Sequence, residues 1–242
     1  MNNLVKTGEK YMKKKLKVLG ISVLSLILVL IIGVGMIFKG EIRTLISFKQ
    51  LNEHPFYEMT YHADYNLDEF LINGAATDDE LVSFVTKQIL KGVSFDVNPD
   101  GACSTFIATN LEDENLFGRN FDYVHSIGLI VRTQPKNGYK SISLVNLNHL
   151  GLSLENMPTK NLINRIVTLA APYAPLDGMN EKGLAIGVLV IQDGKVHQNT
   201  GKVPITTTSA IRMVLDKAAT VDEAIELLKN YDMNSSGGTG YH

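Results

Sequence analysis

A run of 21 uncharged residues, from Val18 to Phe38, constrains this chain more than any other feature. As a helix that rises about 1.5 Å per residue, it spans the roughly 30 Å apolar core of a bilayer. Ahead of it, residues 1–17 carry six lysines and one glutamate, a net charge of +5. We therefore predict a basic cytoplasmic tail (1–17), a transmembrane helix (18–38) and, by the positive-inside rule, an extracytoplasmic remainder attached to the cell membrane.

Two other interpretations of this run are open. A cleaved signal peptide has an apolar core of only about 7–15 residues followed by a small-residue cleavage site, and neither feature is clear here. A buried core helix fits the basic flank and the uniform hydrophobicity less well than an inserted helix does.

The rest of the chain has the composition of a mildly acidic globular protein. The whole chain carries a net charge of −2, so residues 18–242 carry −7. Nucleic-acid binding needs clustered Lys and Arg, and the sequence gives no support for it. A single cysteine excludes an internal disulfide and a cysteine-based zinc site, and we expect no metal and no cofactor. The sequence is compatible with a homo-oligomer as well as with a monomer.

Local patterns predict an α+β chain. Residues 39–102 are interpreted as a propeptide or linker with one helix at 78–91, which Thr77 and Glu80 open with the spacing of a capping box. Apolar, β-prone runs predict strands at 102–109, 116–123, 127–132, 141–147 and 184–191, and helical periodicity predicts helices at 206–217 and 221–230. Several strands followed by two helices indicate an α+β domain.

Cys103, the only cysteine, is the candidate nucleophile. It begins a predicted strand after the small residues Gly101 and Ala102. A thiol attacks a carbonyl only as the thiolate, so it needs a base, and no histidine lies in a recognisable motif around it. Cleavage of the Ala102–Cys103 bond would free an α-amino group with a pKa of about 7.7–8.0, which could take the thiol proton. Alternatively, Cys103 is unreactive and packs in the core as a small hydrophobic residue.

Three motifs carry a resemblance to a known family. They are GACSTF at 101–106, FGRNFDY at 117–123 and DGMNEKGL at 177–184. In order and spacing they resemble the linear amide C–N hydrolases, the choloylglycine hydrolase family of N-terminal nucleophile (Ntn) enzymes. That family includes bile salt hydrolases, penicillin V acylases and acid ceramidase-like amidases. The resemblance covers about Phe56 to His242.

The resemblance implies an αββα sandwich, with two antiparallel sheets between helix layers. It implies hydrolysis of a small-molecule N-acyl amide through a thioester, by Cys103 after autocatalytic cleavage. Asp122 would hold the α-amino group, and Arg119 would lower the pKa of the thiol by its charge. Asn180 would donate its amide N–H to the oxyanion. Tyr123 would either line the substrate pocket or pack in the core.

The strand geometry sets a condition on these roles. Arg119 and Asp122 have opposite parity in a regular strand, so both side chains reach Cys103 only if the strand bends or bulges. Outside a catalytic site they would form an ordinary surface ion pair. Asn180 would then be a turn residue before a strand.

The family also implies downstream site residues, a second oxyanion Asn and an Arg, that have no counterpart before His242. We therefore expect residues 103–242 to be the N-terminal part of a truncated Ntn catalytic domain. Two other functions are open: an acyltransferase of the related peptidase C45-like group, and a non-catalytic membrane-tethered homologue. The intact set of Cys103, Arg119, Asp122 and Asn180 favours an enzyme.

Overall fold

The computed structural model describes residues 2–95, 102–122, 126–191, 194, 196–238 and 240–241. Helices and strands are interspersed along these residues in a mixed α+β arrangement. The predicted class is therefore confirmed. Gly101 and Tyr123, both named above, lie outside the described residues.

The N-terminal apolar run belongs to one long helix, α1 (Asn2–Ile37). Its segment Lys14–Ile37 has a mean hydropathy of 2.8 and is long enough to cross a membrane. None of the side chains in its most apolar window is buried against the rest of the protein, which contradicts the buried core helix. By length and composition, α1 could be a membrane span or a signal sequence. A short helix, α2 (Lys39–Ser47), follows after one residue.

The segment between α2 and Cys103 contains more regular structure than the sequence predicts. Only its last helix was expected. In chain order it forms the strands β1 (Lys49–Gln50) and β2 (Phe56–Thr60) and the helices α3 (Leu67–Asn73) and α4 (Asp78–Gln88).

The start of α4 has one of the two hydrogen bonds of the predicted capping box. The Thr77 hydroxyl accepts from the Glu80 N–H at 3.2 Å and so satisfies a donor that the first helical turn cannot pair internally. The Glu80 carboxylate accepts from the Ala76 N–H at 2.7 Å, one residue before the Thr77 N–H that a capping box would use. The predicted helix is confirmed, although it ends at Gln88 instead of residue 91.

Cys103 lies in a β-hairpin, as predicted. Strands β3 (Ala102–Thr109) and β4 (Asn115–Asp122) pair antiparallel, residue for residue, and form a separate two-stranded sheet. One face of this hairpin is exposed; it carries Ser104, Phe106, Ala108, Leu116, Asn120 and Asp122.

Four later strands join β1 and β2 in a six-stranded sheet. They are β5 (Gly128–Thr133), β6 (Ser141–Asn146), β7 (Asp177–Asn180) and β8 (Ala185–Gly187). The strand order is β1-β2-β5-β6-β7-β8. The β2–β5 pair is parallel and the other pairs are antiparallel.

Side chains of this sheet alternate between a buried and a more exposed face, as period-two strands should. Tyr57 and Met59 of β2 are 1% exposed, and Leu129 and Val131 of β5 are fully buried. Val145 of β6 is also fully buried. The sheet therefore contributes one face to the main hydrophobic core.

The single strand predicted at 184–191 is wrong. After β8 ends at Gly187, the Val188 N–H still donates to the Leu176 carbonyl at 2.9 Å, in register with the β7–β8 pairing. The Val188 carbonyl, however, accepts from the Arg119 guanidinium, and the Leu176 N–H donates to the Leu144 carbonyl. Strand β9 (Val190–Ile191) then pairs with a strand near the end of the described chain. The apolar run that looks continuous in sequence therefore forms two strands, and the break lies where the Arg119 side chain contacts the backbone.

The remaining elements complete two small sheets and a helical layer. Strands β10 (Val203–Thr206) and β11 (Tyr231–Asn234) pair in parallel, and β12 (Gly240–Tyr241) is the partner of β9. The helices are α5 (Leu162–Val167), α6 (Thr207–Lys217) and α7 (Val221–Leu228). The last two confirm the helices predicted at 206–217 and 221–230.

Aromatic packing joins the segment before Cys103 to the part of the chain after it. The rings of Phe70 (α3) and Phe84 (α4) lie 5.4 and 5.7 Å from the ring of Tyr173, centroid to centroid. The Tyr65 hydroxyl donates to the Asp216 carboxylate at 2.5 Å. Residues on both sides of the hairpin therefore form one core.

We predict that Phe70→Ala lowers the free energy of unfolding by about 3–5 kcal/mol, because it removes a ring that is 1% exposed and leaves a cavity. Ile72→Ala, on the same helix but 68% exposed, is the matched control and should change it by less than about 0.5 kcal/mol. Denaturant unfolding measures both. Equal effects would contradict a core shared by α3 and the later chain.

Candidate active site

The hairpin register determines which side chains share a face with Cys103. Cys103 lies directly opposite Phe121, and Thr105 lies opposite Arg119. Directly paired residues in an antiparallel ladder point to the same face, as do residues two apart. Cys103 and Arg119 are therefore diagonal neighbours on one face. Cys103 is half-buried there.

Three contacts hold the Arg119 side chain on that face. Its guanidinium carbon lies 4.5 Å from the centre of the Phe121 ring, the cross-strand neighbour of Cys103. Its Nη2 donates to the Val188 carbonyl, and its Nε lies 3.6 Å from an Asp177 carboxylate oxygen. The side chain is 7% exposed, and Nε and Nη1 have no hydrogen-bond partner among the described residues.

Asp177, the first residue of β7, is a site residue that sequence reasoning missed. In the sequence it stands out only as the first residue of the motif at 177–184. Its side chain is 11% exposed, and burial raises its pKa to about 6, although the charge of Arg119 and a backbone hydrogen bond from Leu144 favour the ionised form. The sequence signal for this residue is an acidic side chain in a strand that is otherwise buried. Its partner, Arg119, lies 58 positions earlier, so the sequence does not show the pair.

Asp122 lies on the other face of the hairpin. It is exposed, pairs with Ala102 in the register and accepts a 2.7 Å hydrogen bond from the Asn120 amide. The pairing is one-to-one through Asp122, so the bulge that would turn its side chain toward Arg119 is not present in the described hairpin. The structure brings Arg119, but not Asp122, to the side-chain face of Cys103.

Asn180 closes a turn. Its amide nitrogen donates to the carbonyls of Leu215 (3.1 Å) and Ala218 (2.7 Å), and its oxygen accepts from the N–H groups of Lys182 (3.0 Å) and Leu184 (3.2 Å). The residue is 5% exposed. These bonds fasten the turn before β8 to the end of α6. An oxyanion role would require this amide to give up one of its two donor bonds.

Tyr123, the remaining candidate, lies outside the described residues. His197 bonds through Nδ1 to the Asn234 side chain at 2.6 Å, a structural contact. Within the described ranges, His, Cys, Asp and Glu form no group that could hold a metal ion.

A small, largely apolar cavity of about 40 Å³ lies next to the Arg119 contacts. Leu81, Val82 and Val85 of α4 line one side of it. Leu176 and Val188 also line it. Leu176 directly precedes Asp177, and the Val188 carbonyl accepts from Arg119. A helix that precedes Cys103 in sequence thus contributes to a cavity beside the site.

Comparison with known proteins gives one family. A family model described as linear amide C–N hydrolases, choloylglycine hydrolase family, matches residues 103–236. The match begins at Cys103, covers more than half of the chain, and contains Arg119, Asp122, Asp177 and Asn180. A search of curated proteins found no match. The chain therefore belongs to the choloylglycine hydrolase family of linear amide C–N hydrolases, whose general reaction is the hydrolysis of linear amides.

Proposed function

We propose that Cys103 becomes an N-terminal nucleophile that hydrolyses a linear N-acyl amide through a thioester. The observation that carries this proposal is the start of the family match at Cys103, on the same hairpin face as a buried arginine. The choice of Cys103 also follows from the sequence, because it is the only thiol in the chain. We further propose that the sheet and hairpin belong to the αββα sandwich that the family implies.

The proposed reaction proceeds in two displacements. The α-amino group of Cys103 takes the thiol proton, and the thiolate attacks the amide carbonyl carbon. The tetrahedral intermediate collapses, the C–N bond breaks, and the leaving amine receives the proton. Water then attacks the thioester, which releases the carboxylic acid and restores the thiol. The charge of Arg119 favours the thiolate in the first step.

The opposite faces of Arg119 and Asp122 are compatible with two separate roles. Arg119 shares the face of the thiol, whereas Asp122 lies beside Ala102, the residue on the other side of the scissile bond. The nitrogen of Cys103 is a backbone atom between the two faces of the hairpin. We propose that Asp122 holds this amine from one face while Arg119 acts on the thiol from the other.

We also propose that α1 anchors the protein in the cell membrane, with residues 1–17 in the cytoplasm and the catalytic part outside. The basic tail supports this orientation. The exposed apolar side chains along Lys14–Ile37 support insertion, because water is a poor environment for so large an apolar surface.

We predict that active protein begins at Cys103. Mass spectrometry of the active species should find the Ala102–Cys103 bond cut, and Cys103→Ala should leave it intact and lower amide hydrolysis by at least about 10³-fold. Ser104→Ala, one residue along on the exposed face, is the control and should be cut and active. An active enzyme with an intact Ala102–Cys103 bond would contradict the mechanism. Products formed with a competing amine separate hydrolysis from acyl transfer.

A second prediction concerns the segment before Cys103. Because β2 pairs with β5 and the α3–α4 aromatic rings contact Tyr173, the two pieces should stay together after cleavage. They should co-elute in native size-exclusion chromatography in detergent and separate only in denaturant. Recovery of the piece that starts at Cys103 alone, under native conditions, would show that the packing does not hold them.

A third prediction tests whether the apolar cavity receives the acyl group. Val82→Phe fills space from the α4 side, so it should lower kcat/KM for a fatty-acyl anilide by about 10-fold or more relative to an acetyl anilide. Ser83→Phe, an exposed neighbour on the same helix, is the matched control and should leave the ratio of the two kcat/KM values unchanged. An unchanged ratio in Val82→Phe would place the acyl group elsewhere.

A further inference from the structure

We propose that Asp177 is a positioning residue that acts through Arg119: its carboxylate, set against the buried guanidinium, determines how strongly that guanidinium acts on the Cys103 thiol. The identification of this thiol as a nucleophile rests on the proposed function. The action of Asp177 through Arg119 rests on the buried contacts alone, and it can be measured without amide hydrolysis.

The first support is the separation of roles among the contacts of Arg119. The Phe121 ring and the Val188 carbonyl fix where the guanidinium lies, but neither carries a charge. Asp177 is the group with an opposite charge that lies against it, at 3.6 Å, and both side chains are at most 11% exposed. With so little water around them, the two charges interact strongly, and Arg119 favours the ionised form of Asp177.

The second support is the space made for this pair. Gly187 of β8 is directly opposite Asp177 in the sheet and therefore shares its face. A Cβ atom at position 187 would lie 3.7 Å from the Arg119 Nε and 3.1 Å from the Phe117 ring. A longer side chain there would fill the place of the guanidinium. The glycine thus lets an arginine from the hairpin reach a carboxylate in the main sheet.

The charge state of Asp177 determines what Cys103 experiences. Besides Arg119 of β4, Asp177 faces the backbone of Leu144 on β6 and Gly187 on β8, which have no titratable side chain. Its raised pKa of about 6 means that it is anionic above that pH and offsets the positive charge of Arg119. Below that pH it becomes neutral, and the full charge of Arg119 favours the thiolate.

The experiment is the pH dependence of Cys103 alkylation by iodoacetamide, measured on the whole chain. Since Cys103 is the only cysteine, all the label reports on it. The proteins compared are the wild type, Asp177→Asn, Arg119→Gln and the double variant, all in the same processing state as verified by mass. Asp113→Asn removes an exposed carboxylate at the hairpin turn and is the matched control.

We expect the effect of Asp177→Asn on the alkylation rate to depend on the presence of Arg119. At neutral pH, Asp177→Asn should raise the alkylation rate about 3- to 10-fold, since a tenfold change corresponds to one pKa unit of the thiol. Arg119→Gln should lower it by a similar factor. Without Arg119, burial acts unopposed by that charge and raises the pKa of Asp177 further, so in the Arg119→Gln background the carboxyl becomes neutral and Asp177→Asn should have little effect. Asp113→Asn should have none in any background.

Three results would overturn the proposal. One is an unchanged or lowered rate in Asp177→Asn. Another is an equal effect of Asp177→Asn with and without Arg119, which would mean that the carboxylate acts on the thiol directly. If Asp177→Asn does not fold, the wild-type profile decides: it should show a second inflection near pH 6 that Arg119→Gln lacks, and its absence is the third. Loss of amide hydrolysis with this pattern intact would count against the proposed function only.

Discussion

The parallel pairing of β2 with β5 is the interaction on which the rest of the structure depends. It places residues 56–60 beside residues 128–132, across the whole Cys103 hairpin. A parallel pair requires a long connection, and here the connection contains α3, α4 and the hairpin. The aromatic contacts of α3 and α4 with Tyr173 then cover the core that this pairing begins. The segment before Cys103 is therefore structural, whatever its later processing.

The Ala102–Cys103 bond connects the two parts of the chain that form this core, but it lies outside the core. Ala102 and Cys103 belong to a two-stranded sheet that is separate from the six-stranded one. Loss of one peptide bond there leaves the β2–β5 ladder and the buried Tyr65–Asp216 hydrogen bond in place. Chain cleavage and loss of the N-terminal piece are thus physically separate events.

Local signals in the sequence predicted local features well. The threonine cap before α4, the hairpin and the apolar helix α1 all follow from residues close together in the chain. Non-local features were not predictable in this way. The Asp177–Arg119 pair and the two carbonyl acceptors of Asn180 join distant elements. The motif identified Asn180, but only packing against α6 shows how its amide is used.

The break in the strand at Val188 and the electrostatic environment of Cys103 have one cause. In a continued β7–β8 ladder the Val188 carbonyl would accept from the Leu176 N–H; that N–H donates to the Leu144 carbonyl, and the Val188 carbonyl accepts from Arg119. That ladder bond is a neutral one, worth about 0.5–1.5 kcal/mol, whereas a bond to a charged donor contributes about 1.5–3 kcal/mol. The charged bond therefore offsets the break, and it fixes a cation beside the Phe121 ring, opposite Cys103. The carbonyl left available at the end of β8 thus helps to hold this guanidinium on the hairpin face that carries the thiol.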